Sequence, residues 1–268
     1  MKYLKGFFLI TSFFLILVFF IEKQKYRSYV NALCSFEDTA KIIDKKEFYN
    51  NRIVSIEKIN NIKNRRRILS DIFYCVTKKE KNDLAKIKKW VVFLQYKIVH
   101  PEKPPLLENG QMVYDPIWML ENKVAHCGQT NRLILDGLET IGIKGRVVQL
   151  SNHVIAEAYL DGKPLALDAD LLDKGNFFYD SNNNILSAYK IHKDLSLLNN
   201  LRGKVHLEKN DFMSMMGEKD PWKYLRDGFV EEPFYYVKTS SKKELNNEYY
   251  GWNYYYTIKN HCSAGFCF

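Results

Sequence analysis

Residues 125–168 read AHCGQTNRLILDGLETIGIKGRVVQLSNHVIAEAYLDGKPLALD. From Gly128 to Ile141 the apolar residues recur at the spacing of an amphipathic helix, and Gly142 follows where a glycine commonly ends one. Beyond Gly142 the pattern changes to short runs with the composition of strands. A helix followed by consecutive strands predicts an α+β fold, in which one face of an antiparallel sheet is covered by the helix.

The last two of these strands are predicted to form a hairpin. The run 146–150 is followed by the runs 153–160 and 163–168, and Asp161-Gly162 separates the second from the third. Asp-Gly between two such runs is the strongest short signal for a two-residue β-turn. The run 163–168 is therefore expected to return antiparallel to the run 153–160.

Cys127 lies directly before the predicted helix that opens with Gly128. The free backbone N–H groups and the positive dipole end of a helix N-terminus stabilise a thiolate, which is the reactive form of cysteine. A cysteine near a helix start is more often a small buried apolar residue. Cys127 therefore indicates covalent catalysis only in combination with a suitable base.

His153 is a candidate for that base because it opens the strand that leads into the hairpin. Pairing across the two-residue turn places His153 opposite Asp170 and Ile155 opposite Asp168. Both aspartates then lie on the same sheet face as His153, Asp170 directly across and Asp168 diagonally. Either carboxylate could hold the imidazole in one tautomer, so the stretch contains a nucleophile, a base and an orienting group.

These motifs resemble the core of the transglutaminase-like superfamily. The matching residues are Cys127, Gly142-Ile143, Arg146, His153, Glu157, Tyr159 to Gly162, and Leu167-Asp168. The resemblance covers residues 84–175, about a third of the chain, and departs from the family pattern at Ala125, where the family has glycine, and at Ala169, where it has proline. It favours Asp168 over Asp170 as the third member of the site.

The resemblance implies a papain-like fold and an acyl-transfer reaction. Cys127 would attack an amide or ester carbonyl, His153 would shuttle the proton, and Asp168 would orient His153. The backbone N–H of Cys127 is a natural donor to the oxyanion, and Trp118 either adds its indole N–H or packs in the core. No metal or cofactor is expected, and the substrate is expected to be a protein, a peptide or another amide.

Two readings of this site stay open at the level of the sequence. The first is an enzyme that hydrolyses its thioester with water or passes the acyl group to an amine, with hydrolysis as the default. The second is a catalytically silent transglutaminase-like module that binds or scaffolds components of the cell envelope.

The N-terminus predicts a membrane anchor. Gly6 to Ile21 is a run of sixteen residues without a charge, preceded by Lys2 and Lys5. As a helix it would be about 24 Å long, slightly short of a bilayer core. Because no small residues follow Ile21 as a cleavage site would require, an uncleaved single-pass signal-anchor is favoured, with a cleaved signal peptide as the alternative. The catalytic part is then expected outside the cytoplasm.

Four segments are predicted from these patterns: an anchor at 1–25, a basic helical linker at 26–83, the transglutaminase-like core at 84–175 and an aromatic-rich extension at 176–268. Within the core, Leu84 to Val99 has the pattern of a helix, which His100-Pro101 ends. The net charge of +9 accompanies no nucleic-acid motif, so no nucleic-acid partner is expected. The remaining cysteines could pair as Cys34 with Cys75 and Cys262 with Cys267, which would leave Cys127 free.

Overall fold

The computed structural model describes residues 2–36, 53–60, 64–101, 104–110, 112–205, 220–231, 233–238 and 254–258, with the backbone alone at 2–13, 59–60, 234–238 and 254–258. The helices are α1 Lys2–Leu33, α2 Ile56–Asn60, α3 Arg65–Thr77, α4 Asp83–Lys97, α5 Pro116–Asn122, α6 Cys127–Glu139, α7 Ala188–Lys193 and α8 Pro221–Gly228, with a 3-10 helix at Leu195–Leu201. The strands are β1 Ile53–Val54, β2 Leu106–Leu107, β3 Gly145–Gln149, β4 Val154–Leu160, β5 Lys163–Leu167, β6 Phe234–Lys238 and β7 Tyr254–Ile258.

The main sheet is antiparallel, with strand order β5-β4-β3-β6-β7. The predicted hairpin forms the β4–β5 edge, and Ala156 pairs with Leu167 in the register that the two-residue turn requires. Asp161 and Gly162 both have positive φ, 51° and 73°, as a type I′ turn demands of its two central residues. The α+β class and the antiparallel sheet predicted from the sequence are confirmed.

Helix α6 lies on one face of this sheet, against β3 and β4. Leu133, Ile134 and Leu138 are fully buried there, in a core shared with α3 and α4. Gly137 is required where α6 meets α4, because a Cβ atom at that residue would collide with the indole of Trp90. The apolar face predicted for this helix is therefore the face that packs against the sheet and the neighbouring helices.

The opposite face of the sheet is covered by the segment that follows β5. Val148 and Ile155 belong to this second core, together with Phe178 from the segment after β5, Leu198 of the 3-10 helix and Leu225 of α8. Both faces of the central strands are therefore buried, and the residues after 176 supply one of the two covering layers.

Helix α1 continues past the predicted anchor and docks onto α3 and α5. Tyr26 donates a hydrogen bond of 2.6 Å to Asp71, and Tyr29 donates one of 2.6 Å to Glu121. At the end of α1 a disulfide joins Cys34 to Cys75, one of the pairings that the sequence left open, with Cα atoms 6.1 Å apart. The second half of α1 is thereby attached to the core by side-chain contacts and a covalent bond.

Among the described side chains, no helix carries a stretch that is long and apolar enough to cross a membrane. The predicted apolar segment Gly6–Ile21 lies in α1, and its side chains at 6–13 fall outside those described. Phe14 to Ile21 are exposed, each by 44% or more. The possible pairing of Cys262 with Cys267 also concerns residues outside the described ranges.

Candidate active site

The first residue of α6 is Cys127, and its side chain is partly exposed. The helix start is fixed by the buried Gln129, whose side-chain oxygen accepts the backbone N–H of His126 at 2.7 Å and whose amide donates to Val113. Among the cysteines that the structure describes, Cys127 is the one outside a disulfide. A free thiol therefore sits at the first position of α6.

The structure pairs His153 with Asp168 at the sheet edge. His153 immediately precedes β4, and its Nε2 lies 3.0 Å from Oδ2 of Asp168, the first residue after β5. The other oxygen, Oδ1, accepts the backbone N–H groups of Asp170 at 2.8 Å and Leu171 at 3.3 Å. Both members of the pair are almost completely buried. The carboxylate that contacts His153 is therefore that of Asp168, the residue predicted to be its diagonal neighbour across the hairpin.

The thiol of Cys127 is close enough to His153 to influence the pKa of its imidazole. Burial disfavours a charged His153, but the Asp168 carboxylate, followed by the hydrogen bond and charge of Cys127, raises the pKa of His153 well above its usual value. Cys127, His153 and Asp168 are therefore brought together in one site.

Asn131, one turn into α6, connects the three parts of the site. Its side-chain nitrogen lies 3.0 Å from the carbonyl oxygen of Cys127, 2.7 Å from that of Val154 and 3.5 Å from Oδ1 of Asp168. The residue is completely buried. The amide thus links the helix that carries the thiol to the strand that follows the imidazole and to the orienting carboxylate.

Gln95 of α4 holds the segment that follows β5. Its amide nitrogen donates to the carbonyl oxygens of Asp168 at 3.1 Å and Asn176 at 3.3 Å, while its oxygen accepts the N–H of Gly175 at 2.7 Å. The backbone that presents Asp168 is therefore fixed from both sides, by Gln95 and by the hairpin.

Asp170, the other carboxylate considered for His153, pairs instead with His100. Nδ1 of His100 lies 2.8 Å from both carboxylate oxygens of Asp170. Although burial opposes ionisation, the neighbouring histidines, His100 first among them, lower the pKa of Asp170 to about 2. The ring of His100 contacts that of His126, at 4.2 Å between centroids. Sequence reasoning missed His100 and His126, and their positions next to Pro101 and Cys127 were the available signals.

Trp118 lies in the helix-side core, where its side chain is 2% exposed. Its indole nitrogen makes no hydrogen bond to any described residue. This placement agrees with the packing role considered for Trp118, and its service as an oxyanion donor stays a prediction. Within the described ranges, the His, Cys, Asp and Glu side chains form no group of three or more arranged to hold a metal ion.

No family model matches the sequence, and a search of curated proteins returns no match. Solved structures do match. A candidate protease from Parabacteroides distasonis shares 17% identity at a TM-score of 0.34, over 42% of this chain and 25% of that one. A candidate cysteine protease from Cytophaga hutchinsonii shares 14% at 0.32, over 47% of each chain. LapG from Legionella pneumophila shares 14% at 0.31, over 66% of this chain and 99% of that one.

The chain thus spans a quarter of the first of these structures and about half of the second. The chemistry of the site is argued from the chain's own residues.

Proposed function

We propose that this protein is a transglutaminase-like cysteine enzyme that cleaves or exchanges amide bonds through a thioester on Cys127. One observation carries the proposal: the buried imidazole of His153 lies 3.0 Å from the Asp168 carboxylate and within electrostatic reach of the free thiol at the start of α6. A nucleophile, a base and an orienting group in one site are the parts that covalent acyl transfer requires.

In the proposed reaction the Cys127 thiolate attacks the carbonyl carbon of an amide, and the backbone N–H of Cys127 stabilises the resulting oxyanion. His153 then gives its proton to the leaving nitrogen, which departs as an amine and leaves a thioester. In the second half, His153 takes a proton from the acceptor as it attacks, and the thiolate is regenerated. Asp168 holds the imidazole in the required tautomer and stabilises its charged form.

Hydrolysis is the outcome we favour over exchange onto an amine. Exchange needs water to be kept away from the thioester, whereas the Cys127 side chain is partly exposed to solvent. The acceptor is then water, and the activity is that of a peptidase or amidase.

We further propose that the enzyme is anchored in a membrane by the first part of α1, with its catalytic part outside the cytoplasm. The uncharged run Gly6–Ile21 supports an anchor, as does the exposure of Phe14 to Ile21, which leaves an apolar helix surface without a protein partner among the described residues. The disulfide between Cys34 and Cys75 supports an oxidising compartment, because such bonds are rare where thiols are kept reduced.

The test is labelling of the full chain, in detergent, with a thiol-directed electrophile at pH 6, followed by mass mapping of the modified residue. We expect labelling at Cys127 in the wild type, none in Cys127→Ala and a strong decrease in His153→Ala. His192→Ala is the matched control, since His192 contacts the carbonyl of Phe229 outside the site. Equal labelling of wild type and His153→Ala would indicate an ordinary thiol and favour the silent binding module.

A further inference from the structure

A second histidine contacts the same thiol. Nδ1 of His126 lies 3.6 Å from Sγ of Cys127, within hydrogen-bonding range for sulfur. The His126 ring stands at 53° to the His100 ring, and His100 is in turn paired with Asp170. A chain of contacts therefore runs from the thiol to a buried carboxylate, separate from the chain through His153 and Asp168.

Backbone pairing between two loop segments places His100 and His126, the histidines of this second series of contacts, next to each other. The segment after α4 runs parallel to the segment before α6: the N–H of Val99 donates to the carbonyl of Lys123 at 2.9 Å, and that of Ala125 donates to Val99 at 3.3 Å. His100 and His126 are the next residues along these two segments. Their ring contact is thus a consequence of main-chain register.

The protonation of His126 suits it to donate one hydrogen bond. Burial, and next the charge of His100, lowers the pKa of His126 to about 4, so the ring is neutral at neutral pH and carries one N–H. A hydrogen bond to the thiolate requires the tautomer that carries this hydrogen on Nδ1, the nitrogen that lies 3.6 Å from sulfur. The titratable groups that face this pair from the surrounding elements are His100, His153, Asp168, Asp170 and Tyr224.

We propose, on the basis of the proposed acyl-transfer function, that His126 donates a hydrogen bond from Nδ1 to the Cys127 thiolate and that the His100–Asp170 pair positions it for this. The thiolate then has two imidazole partners with different tasks. His153 carries the transferable proton, whereas His126 stays neutral and stabilises the ionised sulfur. One charge-assisted hydrogen bond of this kind changes the ionisation constant of a thiol by about tenfold or more.

The experiment measures the pH dependence of Cys127 alkylation by iodoacetamide in the full chain. His126→Phe keeps a planar ring but removes the N–H. We expect it to raise the apparent pKa of the thiol by about one unit and to slow alkylation at pH 6 about tenfold, with an unchanged rate at the alkaline plateau. His126→Asn keeps a donor near the place of Nδ1 and is expected to retain most of the wild-type profile.

His100→Phe and Asp170→Asn are expected to shift the profile in the same direction by a smaller amount, since they act through His126. An alkylation profile of His126→Phe that coincides with that of the wild type overturns the inference. If His126→Phe does not fold, His126→Asn is compared with His126→Gln, which places its donor farther along the side chain. Coincident profiles for these two also overturn the inference.

Failure of this inference is distinguishable from failure of the proposed function. A wild-type thiol that ionises at low pH and depends on His153, but not on His126, leaves the proposed enzyme intact and removes only the role of His126. A wild-type thiol that ionises near its ordinary pKa, about 8.5, and responds to neither histidine contradicts both.

Discussion

At the scale of single residues, the motif Asp168-Ala169-Asp170 divides its two carboxylates between two histidines. Asp168 reaches His153, and Asp170 reaches His100. The backbone N–H of Asp170 is itself donated to Asp168, so the second aspartate also helps to hold the first. The two residues have the same side chain and lie two positions apart, yet only one of them faces the imidazole that interacts with the nucleophile.

Asp168→Asn is therefore expected to lower the activity on an amide substrate strongly. Loss of the orienting carboxylate in a catalytic triad decreases turnover by up to about 10⁴-fold, and we expect at least about 100-fold here. The measurement is the initial rate with a peptide amide at saturating concentration. Asp161→Asn is the matched control, because Asn-Gly suits the same type I′ turn. Equal rates for the two variants would exclude Asp168 from the site.

The same substitution predicts a change in pH dependence. Asp168 is the chief cause that raises the pKa of His153 in the folded protein, against the effect of burial. The imidazolium therefore persists to higher pH in the wild type, and it is lost at lower pH once the carboxylate is replaced by an amide. The alkaline limb of the rate profile for amide cleavage, where His153 must still carry its proton, should move toward lower pH in Asp168→Asn and stay in place in Asp161→Asn.

Sequence alone could place His153 and Asp168 together because they lie on neighbouring strands of one hairpin. The turn Asp161-Gly162 determines the register, and the register determines which side chains share a face. His100 is 26 residues before His126 and reaches it through a pairing of two loop segments, which follows from tertiary packing. No local period or turn signal encodes such a contact.

At the scale of elements, the helix and strands around the site were predicted within a residue or two. Strands β6 and β7 were not predicted. They come from the aromatic C-terminal region, and β6 pairs with β3, about 85 positions earlier in the chain. Short aromatic runs without turn signals fit a strand or a covering segment equally well, so their place in the sheet depended on distant partners.

The buried pair of Arg146 and Glu157 joins β3 to β4 beside α7. The two residues are direct cross-strand partners, and Nε of Arg146 lies 2.7 Å from Oε2 of Glu157. The other carboxylate oxygen accepts the backbone N–H of Ala188, the first residue of α7, at 3.0 Å. Glu157 therefore connects the sheet to the layer that covers its second face.

Glu157→Ala is expected to lower the free energy of unfolding by about 3–5 kcal/mol, since it leaves a buried guanidinium without its carboxylate. Chemical denaturation at neutral pH measures the change. Lys86→Ala, which removes a solvent-exposed partner of Asp83, is the control and should change the free energy by no more than about 0.5 kcal/mol. A similar small effect for Glu157→Ala would show that the pair contributes little.

At the scale of the whole molecule, α1 runs from Lys2 to Leu33 without a break and joins the predicted anchor to the core. The predicted boundary at residue 25 falls inside this continuous helix, and the contacts of Tyr26 and Tyr29 with the core begin immediately beyond it. At 1.5 Å per residue, Tyr26 lies only about 8 Å along the helix from Ile21. If the proposed anchor enters a bilayer, the core is therefore held close to the membrane surface.

The disulfide between Cys34 and Cys75 allows a test of the compartment in which the protein is proposed to function. It closes a loop with a sequence separation of 41 between the end of α1 and α3, for which chain entropy predicts a stabilisation of roughly 4 kcal/mol. In an extracytoplasmic compartment the bond should be present in the protein as isolated, so both cysteines should resist alkylation until a reductant is added. Reduction, or the double variant Cys34→Ser and Cys75→Ser, should then lower the melting temperature by several degrees. Alkylation of both cysteines before reduction, in protein taken rapidly from its native membranes, would contradict the proposed location. It would leave the chemistry of Cys127 untouched, because that thiol lies outside the bonded pair.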